Sequence, residues 1–222
     1  LIMSVHALVV DTPSQRIIVD TCIGNDKSRS IPTWSHLQLP FLEDLEKAGY
    51  PRETIDTVLC THLHVDHVGW NTMLVDGQWI PTFPNARYLI AKEEFEYWDI
   101  IDDSVRPIFE HGLADLVDLT HQICPEVRLE PTPGHTPGHV SIHIESQGQE
   151  ALITGDCIHH PCQIEHLDWA SNADFDQTAS TQTREHLMNT YSDTDVLIIG
   201  THFPTPTAGY IKHSERGYWL AT

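Results

Sequence analysis

The sequence predicts an α/β fold in which layers of β-sheet are flanked by helices. Short β-branched runs and amphipathic segments alternate along the whole chain of 222 residues. No long linker, low-complexity tract or internal repeat divides it. Hydrophobic residues make up 40% of the chain, which is enough for a sizeable core. We therefore predict a single domain over residues 1–222.

The first half of the chain predicts a hairpin, a long loop and strands that lead into polar segments. Two β-branched runs flank the turn-forming DTPSQ, and the polar stretch 21–40 is irregular. The pair Asp76-Gly77 between short apolar runs is typical of a hairpin turn. The predicted strands are 2–10, 16–20, 55–60 and 86–91; the predicted helices are 41–49, 92–100 and, with breaks near Pro107 and Gly112, 104–118.

The second half predicts a strand-rich layer with one long helix. A buried strand, DVLII, follows the helical pattern, and the tail predicts a last strand pair. Polar site candidates follow strand ends, where loops can present them. The predicted strands are 127–130, 139–145, 151–154 and 195–199, the helix is 176–190, and the strand pair lies within 208–220.

Charge and cysteine content exclude several classes of function. The formal charge is −20, from 12 basic and 32 acidic residues, so we expect neither a nucleic-acid nor an anionic-membrane partner. The five cysteines are odd in number, scattered and without a CxxC pair, which indicates reduced thiols in the cytoplasm. Because the sequence starts at Leu1 without an initiator Met, a removed signal peptide stays open.

The richest motif is THLHVDH, which follows the hydrophobic strand IDTVLC. In an extended segment His62 and His64 point to the same side and can grip one ion. Asp66 and His67 reach that ion only if the chain turns sharply, so a second ion beside the first is the easier solution. The alternative is a polar loop whose histidines are solvated and bind no metal. Three His and one Asp at this spacing make that alternative weak.

Three later segments add ligand candidates at strand ends. Each has an ordinary structural explanation when taken alone: a Pro-Gly turn, an Asp that caps a strand, or a structural His. The candidates of the whole set are oxygen and nitrogen ligands without cysteine, which suit Zn²⁺, with Mn²⁺, Co²⁺ or Fe²⁺ as further options. The segments are PTPGHTPGHV with His135 and His139, LITGDCIHHP with Asp156, and LIIGTHFPTP with His202.

Together these motifs, in this order, resemble the metallo-β-lactamase superfamily from about residue 2 to about residue 212. The resemblance implies an αββα sandwich of two mixed β-sheets with helices outside. It also implies two metal ions bridged by Asp156, with His139 outside the ligand set, orienting its loop. One ion would be held by His62, His64 and His135, and the other by Asp66, His67 and His202.

Within that superfamily, the pattern is most similar to the dinuclear lactonases and their esterase-like relatives. True β-lactamases of the most studied subclass have Arg at the position of His67, and the nuclease branch needs basic surfaces. The lactonases carry Tyr three residues after the bridging Asp, where this chain has His159 followed by His160. That departure puts acyl-homoserine lactone as the substrate in doubt. The family also opens with further strands, so the N-terminal strands here are expected to be short or incomplete.

The resemblance implies a hydrolase in which a hydroxide shared by two Zn²⁺ ions attacks the carbonyl of a lactone or ester. Asp66, His159 or His160 would then move the proton to the leaving group, and a small ester or lactone is the expected substrate. A homodimer is a further expectation.

Three alternatives stay open at this point. One is a mononuclear iron oxidoreductase of the persulfide dioxygenase kind, with only His62, His135 and Asp156 as ligands. Another is a hydrolase of a different ester class, such as a phosphotriesterase or a β-lactamase. A metal-binding scaffold without activity is the third, although none of the ligand positions is eroded.

Overall fold

The computed structural model describes residues 1–99 and 101–222, which form two compact units. One unit comprises 5–90 and 98–117, and the other comprises 1–4, 91–97 and 118–222. The prediction of a single domain stays a prediction. Among the described residues, no helix is long and apolar enough to cross a membrane.

The unit of residues 5–90 and 98–117 is built on a five-stranded sheet with the order β1-β2-β3-β6-β7. β1 and β2 form an antiparallel hairpin, whereas β2, β3 and β6 run parallel. The central parallel strands are apolar on both faces, which is typical of strands covered on both sides. The strands are β1 (Leu8–Asp11), β2 (Arg16–Val19), β3 (Thr57–Leu59), β6 (Arg87–Ala91) and β7 (Ala114–Val117), with the hairpin β4 (Thr72–Val75) and β5 (Gln78–Pro81) and the helices α1 (Phe41–Lys47) and α3 (Arg106–Glu110).

A buried lysine anchors the long loop that follows β2. The Lys27 side chain is fully buried and donates hydrogen bonds to Thr72 Oγ1 at 2.8 Å and to the Asp103 carbonyl at 2.7 Å. Its ammonium also lies 3.7 Å from the centre of the Trp79 ring, a cation–π distance. Burial lowers the pKa of Lys27 to about 7, although Asp103 opposes the shift.

The other unit is built on a seven-stranded sheet with the order β14-β13-β12-β11-β10-β9-β8. Only β11 and β12 pair in parallel within it. Side chains of α5 such as Leu187 and Met188 belong to the apolar core that includes Leu152 and Ile198. The elements are β8 (Gln122–Cys124), β9 (Val127–Pro131), β10 (Val140–Ser146), β11 (Gln149–Ile153), β12 (Leu197–Ile199), β13 (Ala208–Ser214) and β14 (Gly217–Ala221), with α2 (Lys92–Tyr97), α4 (Cys162–Glu165) and α5 (Gln177–Tyr191).

Most of the predicted elements are confirmed within a few residues. The Asp76-Gly77 turn joins β4 and β5 as a two-residue hairpin. Its φ angles are 50° and 79°, and this type of turn requires positive φ at both central residues. The long helix and the last strand pair are also confirmed. The predicted helix over 92–100 is observed at Lys92–Tyr97, and Ile100 lies outside the described residues.

Two predictions of secondary structure are wrong. Residues 2–7 are not part of a strand, because Leu8 already pairs with Val19, the last residue of β2. The second half of the helix predicted over 104–118 is instead β7. α3 is terminated by Gly112, whose φ is 68°. This conformation lets the N–H of the next residue, Leu113, donate to the Ile108 carbonyl. The next residues then pair along the edge of β6.

The pKa of Lys27 predicts a pH-dependent contribution to stability. Between pH 7 and 10.5 the unfolded chain holds a proton on Lys27 that the folded chain releases, so this group makes folding more favourable as pH rises. We expect the free energy of unfolding of the metal-free wild type to rise between pH 7 and pH 10 compared with that of Lys27→Met. The expected rise is a few kcal/mol, because a pKa difference of one corresponds to about 1.4 kcal/mol. Urea titrations across this range measure the difference.

Lys47→Met is the matched control, because Lys47 is fully exposed and its pKa is raised by its hydrogen bond to Asp44. We expect no change of slope below pH 10 for this variant. Parallel pH profiles for the wild type and Lys27→Met would show that Lys27 remains charged when buried.

Candidate metal centre

In the unit of residues 5–90 and 98–117, the loop after β3 gathers the first cluster of candidate ligands. His62 Nε2 lies 3.0 Å from His64 Nδ1, and the rings of His62 and His67 are 4.1 Å apart. His67 Nε2 lies 3.8 Å from a carboxylate oxygen of Asp66. The Asp66 side chain keeps 12% of its surface exposed, whereas His67 is buried. All four candidates of the HxHxDH motif are thus close together in this unit.

Asp20, at the end of β2, orients this loop. Its carboxylate accepts hydrogen bonds from His67 Nδ1 at 2.8 Å and from the backbone and hydroxyl of Thr61 at 2.8 and 2.9 Å. Because a carboxylate only accepts, His67 carries its hydrogen on Nδ1 and keeps the Nε2 lone pair for a ligand. His62 Nδ1 lies 3.0 Å from Thr61 Oγ1, whose proton goes to Asp20, so His62 has the same tautomer.

Backbone hydrogen bonds hold the loop against the chain that follows β2. The Thr21 N–H donates to the His67 carbonyl, and the N–H groups of Gly69 and Trp70 donate to the carbonyls of Cys22 and Thr21. A Cβ on Gly69 would lie 1.9 Å from the Ile23 carbonyl carbon, so a side chain there would separate the two segments. The glycine in DHVGW, Gly69, therefore lets the backbone of this loop pack closely against the backbone of Ile23.

In the other unit, Asp156 is the centre of the second cluster. Its Oδ2 lies 3.4 Å from His135 Nε2, 3.2 Å from His202 Nε2 and 3.4 Å from His159 Nε2. Asp156 and His202 meet because β11 and β12 are parallel, so both loops leave the same edge of the sheet. The β9–β10 turn, which carries His135, lies at that edge because β10 is antiparallel to β11.

The imidazoles of this cluster are also tied at Nδ1. His202 Nδ1 donates to the Ser4 carbonyl at 2.6 Å, and His135 Nδ1 donates to Asp174 Oδ1 at 2.9 Å. Both rings therefore direct an Nε2 lone pair towards Asp156. His139 accepts the backbone N–H of Asp156 at 2.9 Å and bonds Thr132 Oγ1 at 2.8 Å, so it holds the backbone that carries the Asp156 carboxylate.

His159 and His160 have different surroundings. Burial lowers the pKa of His159, and its Nδ1 has no hydrogen-bond partner among the described residues. Its ring packs edge-on against His135, with 4.7 Å between centroids. His160 lies at the start of α4, where its Nδ1 accepts the Cys162 N–H at 3.1 Å, and partial burial lowers its pKa. Their catalytic roles stay predictions.

The donor atoms in each cluster fit a divalent metal ion. Metal ligands at about 2.0–2.2 Å from a zinc ion lie roughly 3.0–3.5 Å from one another. The separations of 3.0 Å between His62 and His64, and of 3.2 and 3.4 Å from Asp156 to His202 and His135, match this spacing. In addition, ligand atoms of His135, His159 and Asp174 lie within 4.8 Å of one another.

Two residues that support the site were missed by the sequence reasoning: Asp20 and Asp174. Asp20 comes directly after the strand RIIV, just as Asp156 comes after the predicted strand that contains LIT. The sequence position of Asp20 could therefore have identified it. Asp174 lies in the segment SNADFD, which has neither periodicity nor a motif, and only the folded chain brings it to His135.

Each unit thus carries buried imidazoles and carboxylates after its strand ends, which are the donor groups that proteins use to bind divalent metal ions. A family model described as the metallo-beta-lactamase superfamily matches residues 2–202. The chain therefore belongs to the metallo-β-lactamase superfamily, and the predicted fold class is confirmed.

Relatives with described activities include an N-acyl homoserine lactonase of a Bacillus species. It is 31% identical over 103 residues, which cover 46% of this chain and 38% of the relative. The lactonase of Bacillus thuringiensis is 29% identical over 114 residues, or 42% of its length. The chain thus matches only about two fifths of the length of these relatives.

Two solved structures are similar over almost the whole chain. One is the hydrolase AbOPH of the beta lactamase superfamily, with a TM-score of 0.83 and 25% identity, covering 99% of this chain and 80% of that one. The other is AidC, a dizinc quorum-quenching lactonase in complex with the product N-hexanoyl-L-homoserine. Its TM-score is 0.81 at 25% identity, covering 99% of this chain and 79% of that one.

The close approach at Gly69 predicts a large effect of a small substitution. We expect Gly69→Ala to lower the free energy of unfolding by about 3 kcal/mol, because the new methyl group collides with backbone rather than with a movable side chain. Thermal unfolding of the metal-free protein measures it. Gly49→Ala is the control, since nothing lies within 4 Å and only its φ of 94° resists alanine, a cost of about 1 kcal/mol. Equal losses in both variants would contradict the collision.

Proposed function

We propose that this protein is a dinuclear metal-dependent hydrolase of a lactone or ester. His62, His64 and His135 hold one cation in this proposal, and Asp66, His67 and His202 hold the other, with Asp156 shared. The observation that carries the proposal is the set of imidazole Nε2 atoms within 3.4 Å of one Asp156 oxygen. The similarity to a dizinc lactonase supports zinc as the metal, with Mn²⁺, Co²⁺ or Fe²⁺ as substitutes.

Two such cations, when bound, supply an activated water and polarise the carbonyl group of the substrate. The chain itself supplies the proton transfers. Asp66 is our choice for carrying the proton to the leaving alkoxide, because its carboxylate is partly exposed and adjoins His67. His160 Nε2 is the competing donor, since only Nδ1 of that ring is used at the start of α4.

His159 takes the place of a tyrosine hydroxyl in this scheme. A lowered pKa keeps the ring neutral at pH 7, so one of its nitrogen atoms carries a hydrogen and can donate to a developing oxyanion. Packing against His135 keeps the ring beside the Asp156 carboxylate. A neutral donor avoids placing another positive charge next to the cations.

Exposed aromatic side chains support an apolar substrate. Phe175 is 59% exposed and Tyr97 is 43% exposed, and their rings meet at 5.0 Å in a T-shaped contact. The Phe175 N–H donates to the His135 carbonyl at 2.9 Å, so this pair adjoins a proposed ligand. In the unit that carries the HxHxDH motif, Trp70 stacks on Phe41 beside a cavity of about 270 Å³. Phe203, by contrast, is fully buried core.

A hydrolysis screen on the zinc-loaded protein tests the proposal. We expect turnover of lactones or aryl esters, and a loss of at least about 100-fold in kcat/KM in His62→Ala and Asp156→Ala, because each removes a ligand. Elemental analysis is expected to give about two zinc ions per chain.

Full activity in either ligand variant would reject the metal mechanism. Turnover restricted to phosphotriesters or β-lactams would reject the carbonyl-ester proposal. One iron per chain would favour the dioxygenase alternative, which leaves His67 and His202 without a role although both are oriented at Nδ1. A homodimer and a cytoplasmic location stay predictions.

The aromatic pair predicts a dependence on substrate chain length. We expect Phe175→Ala to raise KM for long-chain or aryl substrates about 10-fold, because roughly 1.5 kcal/mol of apolar burial is lost, and to leave short-chain substrates unaffected. Steady-state kinetics over a series of acyl chain lengths measures this. Trp219→Ala removes another exposed aromatic and is expected to change nothing. An equal KM increase for all chain lengths would contradict an apolar subsite.

A further inference from the structure

Asp174 is the hydrogen-bond acceptor that holds His135. Its side chain is fully buried, and its Oδ1 accepts the His135 Nδ1 hydrogen at 2.9 Å. The second carboxylate oxygen accepts the Ser171 N–H at 2.9 Å. Both carboxylate oxygens of Asp174 are therefore held by hydrogen bonds, and one of these bonds comes from His135.

Arg184, in the middle of α5, supplies the nearby positive charge. Its guanidinium lies 3.9 Å from Asp174 Oδ2, and its side chain is also fully buried. It donates to Ser180 Oγ at 2.6 Å, Thr181 Oγ1 at 3.0 Å and the Leu167 carbonyl at 3.0 Å. Burying two charges is costly and rarely improves stability over apolar packing, so such a pair suggests a purpose beyond stability.

The backbone around Asp174 is pinned to the turn that carries His135. The N–H groups of Phe175 and Asp176 donate to the carbonyls of His135 and Gly134 at 2.9 and 3.0 Å. Gly134 itself is so close to α5 that a Cβ would lie 2.2 Å from the Ser180 nitrogen. The distance between Asp174 and His135 is thus set from both sides, as an orienting contact requires.

We propose that Asp174 is a positioning residue for metal binding. It fixes the Nδ1–H tautomer and the ring plane of His135, and Arg184 lies 3.9 Å from the other carboxylate oxygen of Asp174. Ligating histidines commonly donate their second nitrogen to a carboxylate in this manner, which raises their basicity towards the metal. The inference rests on the proposed function, because it takes His135 as a ligand.

Zinc affinity, measured by competition with a chromophoric chelator at pH 7, tests the inference. We expect Asp174→Asn to bind zinc about 10–100-fold more weakly at the His135 position while still binding two ions at saturation. An Asn amide can turn its NH₂ group towards Nδ1 and select the wrong tautomer. Asp174→Glu is expected to recover part of the affinity, since it restores a carboxylate. The d–d absorption of the Co²⁺-loaded protein should change in Asp174→Asn and return towards the wild-type spectrum in Asp174→Glu.

Asp176→Asn is the matched control. It removes the same charge two residues away, at an exposed position, and Asn serves as well as Asp at the N-terminus of α5. Its zinc affinity and Co²⁺ spectrum should match those of the wild type.

Three results would overturn the inference. The first is wild-type zinc affinity in Asp174→Asn with a lowered unfolding temperature of the metal-free protein, which shows a purely structural role. The second is loss of a whole zinc equivalent at saturation, which makes Asp174 itself a ligand. The third is unchanged zinc binding in His135→Ala, His62→Ala and Asp156→Ala, which removes the proposed function as well. If zinc binding is lost in these ligand variants but keeps its wild-type affinity in Asp174→Asn, only the positioning role of Asp174 is rejected.

Discussion

Hydrogen bonds at Nδ1 of the buried histidines orient the candidate ligands within each of the two units. His62 is tied to Thr61, His67 to Asp20, His135 to Asp174 and His202 to the Ser4 carbonyl. Each tether selects a tautomer and leaves Nε2 as the atom that a ligand can use. Without these acceptors the rings could rotate, and the short distances between donor atoms in each unit would not persist. The sheets contribute because the loops that carry the rings follow strand ends, whereas the acceptors Ser4 and Asp174 come from irregular segments.

The candidate metal ligands could be recognised in the sequence because each follows an apolar strand. HxHxDH, GHTPGH, GD and the late His are short-range patterns, and strand ends are visible as a change from β-branched to polar residues. Asp174 could not be predicted in this way. Its partner His135 is 39 positions away in the chain, and nothing local distinguishes it from Asp168 or Asp176. Supporting contacts of this kind depend on tertiary structure.

The same limit explains the errors in secondary structure. The sequence predicts a helix over 104–118 with breaks near Pro107 and Gly112, but the edge of β6 offers hydrogen bonds that favour β7 in the second half of this segment. Residues 2–7 suit a strand by composition, yet β2 is too short to pair with them. The secondary-structure preference of a segment therefore determined a strand only where a neighbouring strand of matching length was available for pairing.

Charge is distributed unevenly between surface and interior. The exposed carboxylates account for much of the formal charge of −20, and they pair with basic residues such as Lys92 and Arg87 at the surface. Buried Asp20 instead receives its hydrogen bonds from Thr61 and His67. Under the proposed function, the divalent cations offset the negative charge of Asp66 and Asp156, so the centre is less acidic than the whole chain suggests.

The glycines of the His135 turn carry an evolutionary consequence. A Cβ on Gly134 would collide with the backbone of α5, and one on Gly138 would lie 2.1 Å from the Glu94 nitrogen of α2. Neither glycine can therefore gain a side chain unless the backbone of α5 or α2 moves. Sequence variation in this region is expected at exposed side chains such as Tyr97 and Phe175, whose rings touch each other, rather than at these two glycines.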